Sequence, residues 1–461
     1  MATIDIDTTR TGQVMTLVRD RIDRRVLTPG GRLPSVRAMA TTTGFSKSTV
    51  VEAYDRLAAE GTIRSRPGSG FYVSAALTPL SLDRMGAPVE REVDPLWMLR
   101  QSLSDKPEAI RPGGGWLPDD WLAGEPIRKA LRAAARSDAN GPLTHYATRL
   151  GSLPLRALLA RRLEEQGVGA APDQILLTDS STQALDLIGR FLLEPGDTVL
   201  VDDPCYFNFL AMMRAHRAKV VGIPMTPTGP HMGAFAAALI EHRPRFYLTN
   251  SGPHNPTGAT LSAVTAHRLL KLAEAHDLII VEDDIFSDFE HTPSPRLAAF
   301  DGLDRVIRIS SFSKSVTAAI RCGHIAARPD WIEALADLRI ATSMSGNPLS
   351  ADILHSVLTD GGYRRHIEGL RARLARSTAR TLKRLRAAGL NPWIEPSAGL
   401  FIWAKLPGGI DAATLARTAL AQDIVLAPGN VFSTGGAWSD YLRFNVATSD
   451  DDRVSALLKN L

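Results

Sequence analysis

The feature that most constrains this 461-residue chain is a series of short apolar runs, each closing on polar residues and most followed by helical periodicity. QILLTD (174–179), TVLVDDP (198–204), KVVGIP (219–224), RFYLTN (245–250), LIIVEDD (278–284) and VIRISS (306–311) are too short for helices and read as strands. Strands that alternate with helices predict an α/β domain with a mostly parallel sheet. In such sheets ligands bind outside the carboxyl ends of strands, and those ends are unusually polar here. Ser180-Ser181-Thr182-Gln183 follows the first run, Cys205-Tyr206 the second and HNPTG (254–258) the fourth. The fifth closes on carboxylates and the sixth runs into Phe312-Ser313-Lys314. Hydroxyls and free N–H groups at a helix start suit a phosphate, and a tyrosine can stack on a ring. A helical stretch over 363–388, then FIWAKL (401–406) and YLRFNV (441–446), predict a smaller α+β lobe.

The amino-terminal part follows another pattern. Val14, Leu17, Val18, Ile22 and Val26 recur at helical spacing before Pro29-Gly30-Gly31 stops the helix. Two more helices are expected over 35–42 and 46–61, with Ser35 and Ser46 as N-caps around Thr43-Gly44-Phe45. Strand-like runs 62–65 and 70–74 flank Pro67-Gly68-Ser69 and predict a hairpin wing. Residues 1–75 hold eleven Lys/Arg against seven Asp/Glu, which is the whole formal excess of +4. Attraction to nucleic-acid phosphates is therefore expected from this segment, the remainder being balanced. A solvated basic face is the plainer alternative. Over 76–95 periodicity is lost and Pro79, Pro88 and Pro95 punctuate a linker.

No apolar run approaches the roughly 18 residues of a membrane helix. MATIDIDTTR lacks the apolar core of a signal peptide, and Cys205 and Cys322 are the only cysteines, so a reducing cytoplasm is expected. No metal site is expected.

Two resemblances follow from these residues. GGRLPSVRAMA (30–40), GFSKSTVVEAYDRLAAEG (44–61) and RSRPGSGFYVS (64–74) resemble the GntR winged-helix family. The resemblance implies DNA contacts from Arg37, from Ser46, Lys47, Ser48 and Thr49 in the first turn of the second motif helix, and from Gly68 and Ser69 at the wing tip. Lys47 stands where the family more often has Arg, which puts bidentate guanine reading there in doubt. From about residue 110 onward the chain resembles fold-type-I aminotransferases, which hold pyridoxal 5'-phosphate. By that resemblance Lys314 is the Schiff-base lysine, and Arg321, Ser311 and Ser313 grip the phosphate with Ser181 and Thr182 at the helix start. Asp283 pairs with the pyridine nitrogen, Asn255 meets the ring hydroxyl and Tyr206 stacks on the ring. Arg443 holds the α-carboxylate of an amino acid or another effector, and Tyr146 reaches the phosphate of a partner subunit in a homodimer. Phe286 departs from the pattern, standing where these enzymes commonly place a tyrosine.

A winged helix joined through a linker to an aminotransferase-like domain resembles the MocR subfamily of bacterial regulators. The expected architecture is multidomain: a small α+β winged helix-turn-helix at 1–75, a linker at 76–95, and an α/β fold-type-I domain at 96–461. Its large lobe is expected at about 130–340, and its small lobe from 96–129 with 341–461. The implied function is a regulator that binds a double-stranded operator and senses pyridoxal phosphate or its adduct with an amino compound. A working aminotransferase with an accessory DNA-binding arm is the alternative, since the catalytic residues are all present. Cofactor storage without regulation leaves the basic arm without a purpose.

Overall fold

Val14, Met15 and Val18 line one side of helix α1 (Arg10–Asp23) and pack, fully or nearly buried, against Met39, Val50, Tyr54 and Leu57. In this computed structural model, residues 9–23, 26–27, 30–66, 70–74, 93–104, 106–136, 141–459 and 461 are described. They belong to two compact units, Met1–Arg91 and Glu92–Leu461. In the first, helices α2 (Val36–Thr43) and α3 (Lys47–Ala59) form the helix-turn-helix. Ser35 Oγ accepts from the Ala38 N–H and Ser46 Oγ from the Thr49 N–H, so both expected caps are present. Gly44 closes α2 at φ 72°, where a side chain would be strained. Strands β1 (Ile63–Arg66) and β2 (Gly70–Val73) pair antiparallel from Ile63–Val73 to Arg66–Gly70. The wing-tip positions Gly68 and Ser69 lie outside the described residues, as does most of the linker expected over 76–95. Val26, expected on the apolar face of the first helix, lies beyond its end and is 70% exposed.

The larger unit is built on an eight-stranded sheet of β3 (Ile175–Thr178), β4 (Thr198–Asp203), β5 (Lys219–Thr226), β6 (Gly229–Pro230), β7 (Phe246–Thr249), β8 (Ile279–Asp283), β9 (Val306–Ser311) and β10 (Gly323–Ala326). Their order is β3-β10-β9-β8-β7-β4-β5-β6. All six predicted strands form. The pairs from β9 through β5 are parallel, whereas β10 runs antiparallel to both β3 and β9. Alternate residues face opposite layers: Leu200, Tyr247 and Ile280 enter one buried cluster, and Val199, Val201, Phe246 and Val281 the other. That arrangement explains why the strands read as continuous apolar runs, since helices cover both faces.

A second sheet of β11 (Asn391–Pro392), β12 (Phe401–Lys405), β13 (Ala427–Pro428) and β14 (Tyr441–Asn445), ordered β11-β12-β14-β13, lies beyond the long helix Gly362–Ala387. It brings Arg443 from the end of the chain. Among the described residues no helix is long and apolar enough to cross a membrane, and no cluster of three His, Cys, Asp or Glu could hold a metal.

Candidate functional site

Because β10 is antiparallel to both neighbours, β3 and β9 point the same way, and the carboxyl ends of β3, β4, β7, β8 and β9 share one edge. Sheet order also reverses between β4 and β7, which opens a crevice at that edge. A cavity of about 150 Å³ sits there. Ser181 and Thr182 line it from the start of helix Ser181–Leu192, and Tyr206 from the residue after β4. Asn255 follows β7, Asp283 ends β8, Ser311 ends β9, and Ser313, Lys314 and Arg321 lie on the connection to β10. Arg443 enters from β14. The structure thus brings together every cofactor and effector residue expected from sequence except Tyr146. That side chain is 79% exposed and lines a neighbouring open cleft with Arg321 and Thr182.

At one end the hydroxyls form a chain, Ser181 Oγ to Ser311 Oγ at 3.5 Å and Ser311 Oγ to Ser313 Oγ at 3.2 Å. The strand beneath must come close: a Cβ at Gly323 would stand 2.8 Å from the Ser310 carbonyl oxygen and 3.0 Å from the Ser181 nitrogen. At the floor, Asp283 accepts the Ile285 N–H at 3.1 Å. Its neighbour Asp284 is neutralised by Arg296 and Arg308, but Asp283 has no such partner among the described residues. Burial therefore pushes the Asp283 carboxyl up to about 7, against the opposing pull of the Ile285 N–H. Burial likewise draws Lys314 down to about 8, with the Arg443 charge adding and Asp283 opposing. That shift favours the neutral amine, the form a nucleophile requires.

Arg443 is buried to 1% exposure and lies 4.2 Å from the Phe401 ring centroid. Its Nη1 donates to Asn255 Oδ1 and its Nη2 to the Gly113 carbonyl, each at 2.7 Å, while Nε finds no partner among the described residues. Burial lowers its pKa to about 9, which leaves it cationic at neutral pH. The Asn255 oxygen being taken, its NH₂ group remains to donate. Phe286 is buried and meets Phe401 edge-on at 5.7 Å, so no hydroxyl reaches the site from that position.

Other lining residues carried no such expectation. Lys314 Nζ donates to the Gly115 carbonyl at 2.7 Å and sits 5.1 Å from the Trp116 ring, and Asn445 Nδ2 fastens this glycine loop through the carbonyls of Gly114 and Trp116. Asn250 joins the end of β7 to Asp283, its Nδ2 donating to the Asp283 carbonyl at 2.5 Å. Leu99 and Ser102 reach the cavity from helix Pro95–Ser102. Asn250 ends a predicted strand and was open to the same reasoning as its neighbours; Trp116 and Leu99 reach the site only through long-range packing.

In the smaller unit, Lys47 and Ser48 are exposed in the first turn of α3, with Arg37 exposed on α2. The Ser46 hydroxyl is engaged as a cap and lies 2.8 Å from both Ser48 Oγ and Thr49 Oγ1, and Thr49 is half-buried. Arg32, not singled out from sequence, bridges to Tyr72, and its guanidinium stands 3.6 Å from where a Cβ on Gly70 would be.

Comparison with known proteins agrees with this division. Residues 10–73 match the bacterial regulatory proteins of the gntR family, and residues 115–461 match aminotransferase class I and II. The HTH-type transcriptional regulator YdcR of Escherichia coli (strain K12) is 30% identical over 97% of both chains. The chain is a GntR-family regulator of the MocR type. Like others of that type, this regulator also resembles enzymes over its larger unit. The 2-aminoadipate transaminase of Thermus thermophilus is 28% identical over 78% of this chain and 90% of its own. The Pyrococcus horikoshii kynurenine aminotransferase structure, in complex with PMP, superposes with a TM-score of 0.72 at 27% identity, covering 82% of this chain and 96% of the other. LysN of Thermus thermophilus, complexed with N-(5'-phosphopyridoxyl)-L-leucine, gives 0.71 at 26% identity, covering 79% and 92%.

Proposed function

We propose that this MocR-type chain is a transcription regulator of the cytoplasm that reads duplex DNA with its winged helix and senses an amino compound through pyridoxal 5'-phosphate held in the larger unit. The supporting observation is the convergence of Lys314, Asp283 and Arg443, far apart in sequence, on one cavity. The donor set fits the cofactor: hydroxyls and the Arg321 guanidinium at one end suit a phosphate, a buried carboxylate suits a protonated ring nitrogen, and the unpartnered Arg443 Nε suits an anion. Pyridoxal phosphate, when bound, supplies an aldehyde that captures amines and a ring that withdraws electrons from them.

Ser181, Thr182, Ser311, Ser313 and Arg321 would hold the cofactor's phosphate, and Tyr206 would lie against the ring. Asp283 would keep a proton on the ring nitrogen, the Asn255 NH₂ would be free to donate to the ring oxygen, and Lys314 would supply the amine that captures the aldehyde. Arg443 takes the effector's carboxylate. Arg37, Lys47, Ser48 and Arg32 meet DNA in one unit, with Ser46 and Thr49 fixing the helix start; the contacts expected of Gly68 and Ser69 fall outside the described residues. We assign residues 1–75 to DNA reading, 76–95 to the linker and 96–461 to sensing. We assign Tyr146 to the partner's phosphate in a homodimer, consistent with its exposure beside Arg321.

The function is tested by footprinting the chain on its own upstream region with and without pyridoxal phosphate at fixed salt, because salt sets apparent affinity. A changed protection pattern is expected, and an identical one rejects sensing. Lys314→Ala is expected to lose the visible absorbance of the bound cofactor while the DNA-reading unit still binds; cofactor that stays covalently attached to this variant after borohydride reduction and denaturation would falsify the Lys314 assignment. The presence of Lys314, Asp283, Asn255, Arg321 and Arg443 together in one cavity also supports a second reading, an active aminotransferase. Multiple-turnover assays separate the two, since turnover near about 10 per second is ordinary for an enzyme and a sensor is far slower.

A further inference from the structure

Charges over residues 76–461 sum to zero, and that neutrality conceals one concentrated region. Helix Gly362–Ala387 carries nine Lys/Arg and a single acidic residue, Glu368. Helix faces turned to water ordinarily interleave the two signs, because like charges a turn apart repel. The apolar side of this helix is accounted for: Tyr363, Ile367, Leu370, Leu374, Leu382 and Leu385 are buried. Six of the nine cations have partners. Arg364 pairs with Glu368, Arg373 with Asp120, Arg386 with Glu395, and Arg380 and Arg384 share Asp450, while Arg371 donates to the Asp288 carbonyl.

Arg365, Arg376 and Lys383 remain, all exposed and without a hydrogen bond or ion pair among the described residues. Asp360 feels the Arg365 charge only at a distance, being bonded to Lys129. A helix turns about 100° per residue, so positions separated by eleven and then seven residues fall within about 20° of one line, here about 27 Å long. Gly369 and Ala372 occupy the same side, so no bulky side chain stands over the cations.

We propose that this line of cations is a second DNA contact, taking the phosphate backbone of a duplex without reading its sequence. Its length approaches one turn of B-DNA, about 34 Å. The exposed face offers no aromatic or aliphatic anchor of the kind protein interfaces and membrane surfaces depend on, whereas a polyphosphate needs only well-placed charge. The inference rests on the reading of this chain as a DNA-binding regulator and adds a surface outside its winged helix.

The test uses the full chain loaded with pyridoxal phosphate and two duplexes of equal length, one from its own upstream region and one of random sequence. Affinity is measured across a salt series for the wild type, for R365Q/R376Q/K383Q, and for the control K219Q/R268Q/K271Q, which removes three exposed cations elsewhere. Cofactor absorbance and melting temperature establish that each variant is folded. Each lost phosphate contact removes about 0.9 from the slope of log affinity against log salt. We expect the first variant to lose about 2–3 on both duplexes, with their affinity ratio unchanged and the control unaffected. A wild-type slope in the first variant, or an equal loss in the control, overturns the proposal and leaves the winged helix as the DNA reader. If the wild type binds neither duplex even at low salt, the underlying reading and this proposal fall together.

Discussion

Asp283 shows what a binding residue costs an empty fold. Its carboxyl ordinarily ionises near 3.8 and is held up to about 7 by burial, so the folded chain keeps the proton longer than the unfolded chain does. Stability attributable to this group therefore falls as pH rises from about 4 to about 7, and the full cost stands above that range. Lys314 mirrors it: drawn from 10.5 down to about 8, its burial costs most below pH 8 and is relieved as pH climbs toward its ordinary value. Asp283→Asn is thus expected to stabilise the cofactor-free protein by about 1–3 kcal/mol at pH 8, with no gain at pH 4, while weakening cofactor binding. Denaturant melts at the two pH values check this, and equal stabilities at pH 8 would show that the carboxylate is no burden.

Among the secondary-structure elements, the first turn of α3 and strand β10 carry the clearest expectations. Ser46→Ala removes a cap and should cost about 1 kcal/mol, with weaker DNA binding as the turn bearing Lys47 and Ser48 frays; thermal melts and gel shifts read both effects. Gly323→Ala should disturb the turn at Ser180 and Ser181 and lower cofactor affinity at least tenfold by absorbance titration, because the added carbon meets backbone that cannot yield. A variant that binds like the wild type would mean that β10 does not shape the phosphate end.

These elements also mark how far the sequence could be read. Five of the six predicted strands announced themselves because both faces are buried, β5 being mostly half-buried, and the polar strand ends placed Ser181, Tyr206, Asn255, Asp283 and Lys314 by rules that need only local sequence. GHIA, the strand β10, did not: four residues opening on glycine carry no strand signal, and pairing with both β3 and β9 makes it one. Trp116 escaped for a related reason, since hydrogen bonds from the distant Asn445 and Arg443 hold its loop at the cavity. The basic line at Arg365, Arg376 and Lys383 was hidden by summing charge over a whole domain rather than along one helix.

For the whole molecule, sensing is a coupling between two sites and must work in both directions. If pyridoxal phosphate changes operator affinity by some factor, operator DNA changes cofactor affinity by the same factor, so titrations of cofactor with and without the duplex should give a matching ratio. A cofactor affinity indifferent to DNA, beside a DNA affinity that responds to cofactor, would break thermodynamic reciprocity and point to aggregation or a second species. The helix Pro95–Ser102 gives this coupling a physical starting point. Its first turn, capped by Asp94, is where the chain emerges from residues 75–92, and its later residues Leu99 and Ser102 form part of the cavity wall. Entrance and lining are therefore one piece of backbone, so a guest that displaces those two side chains shifts the very helix with which the larger unit begins, with no relay through the rest of the sheet.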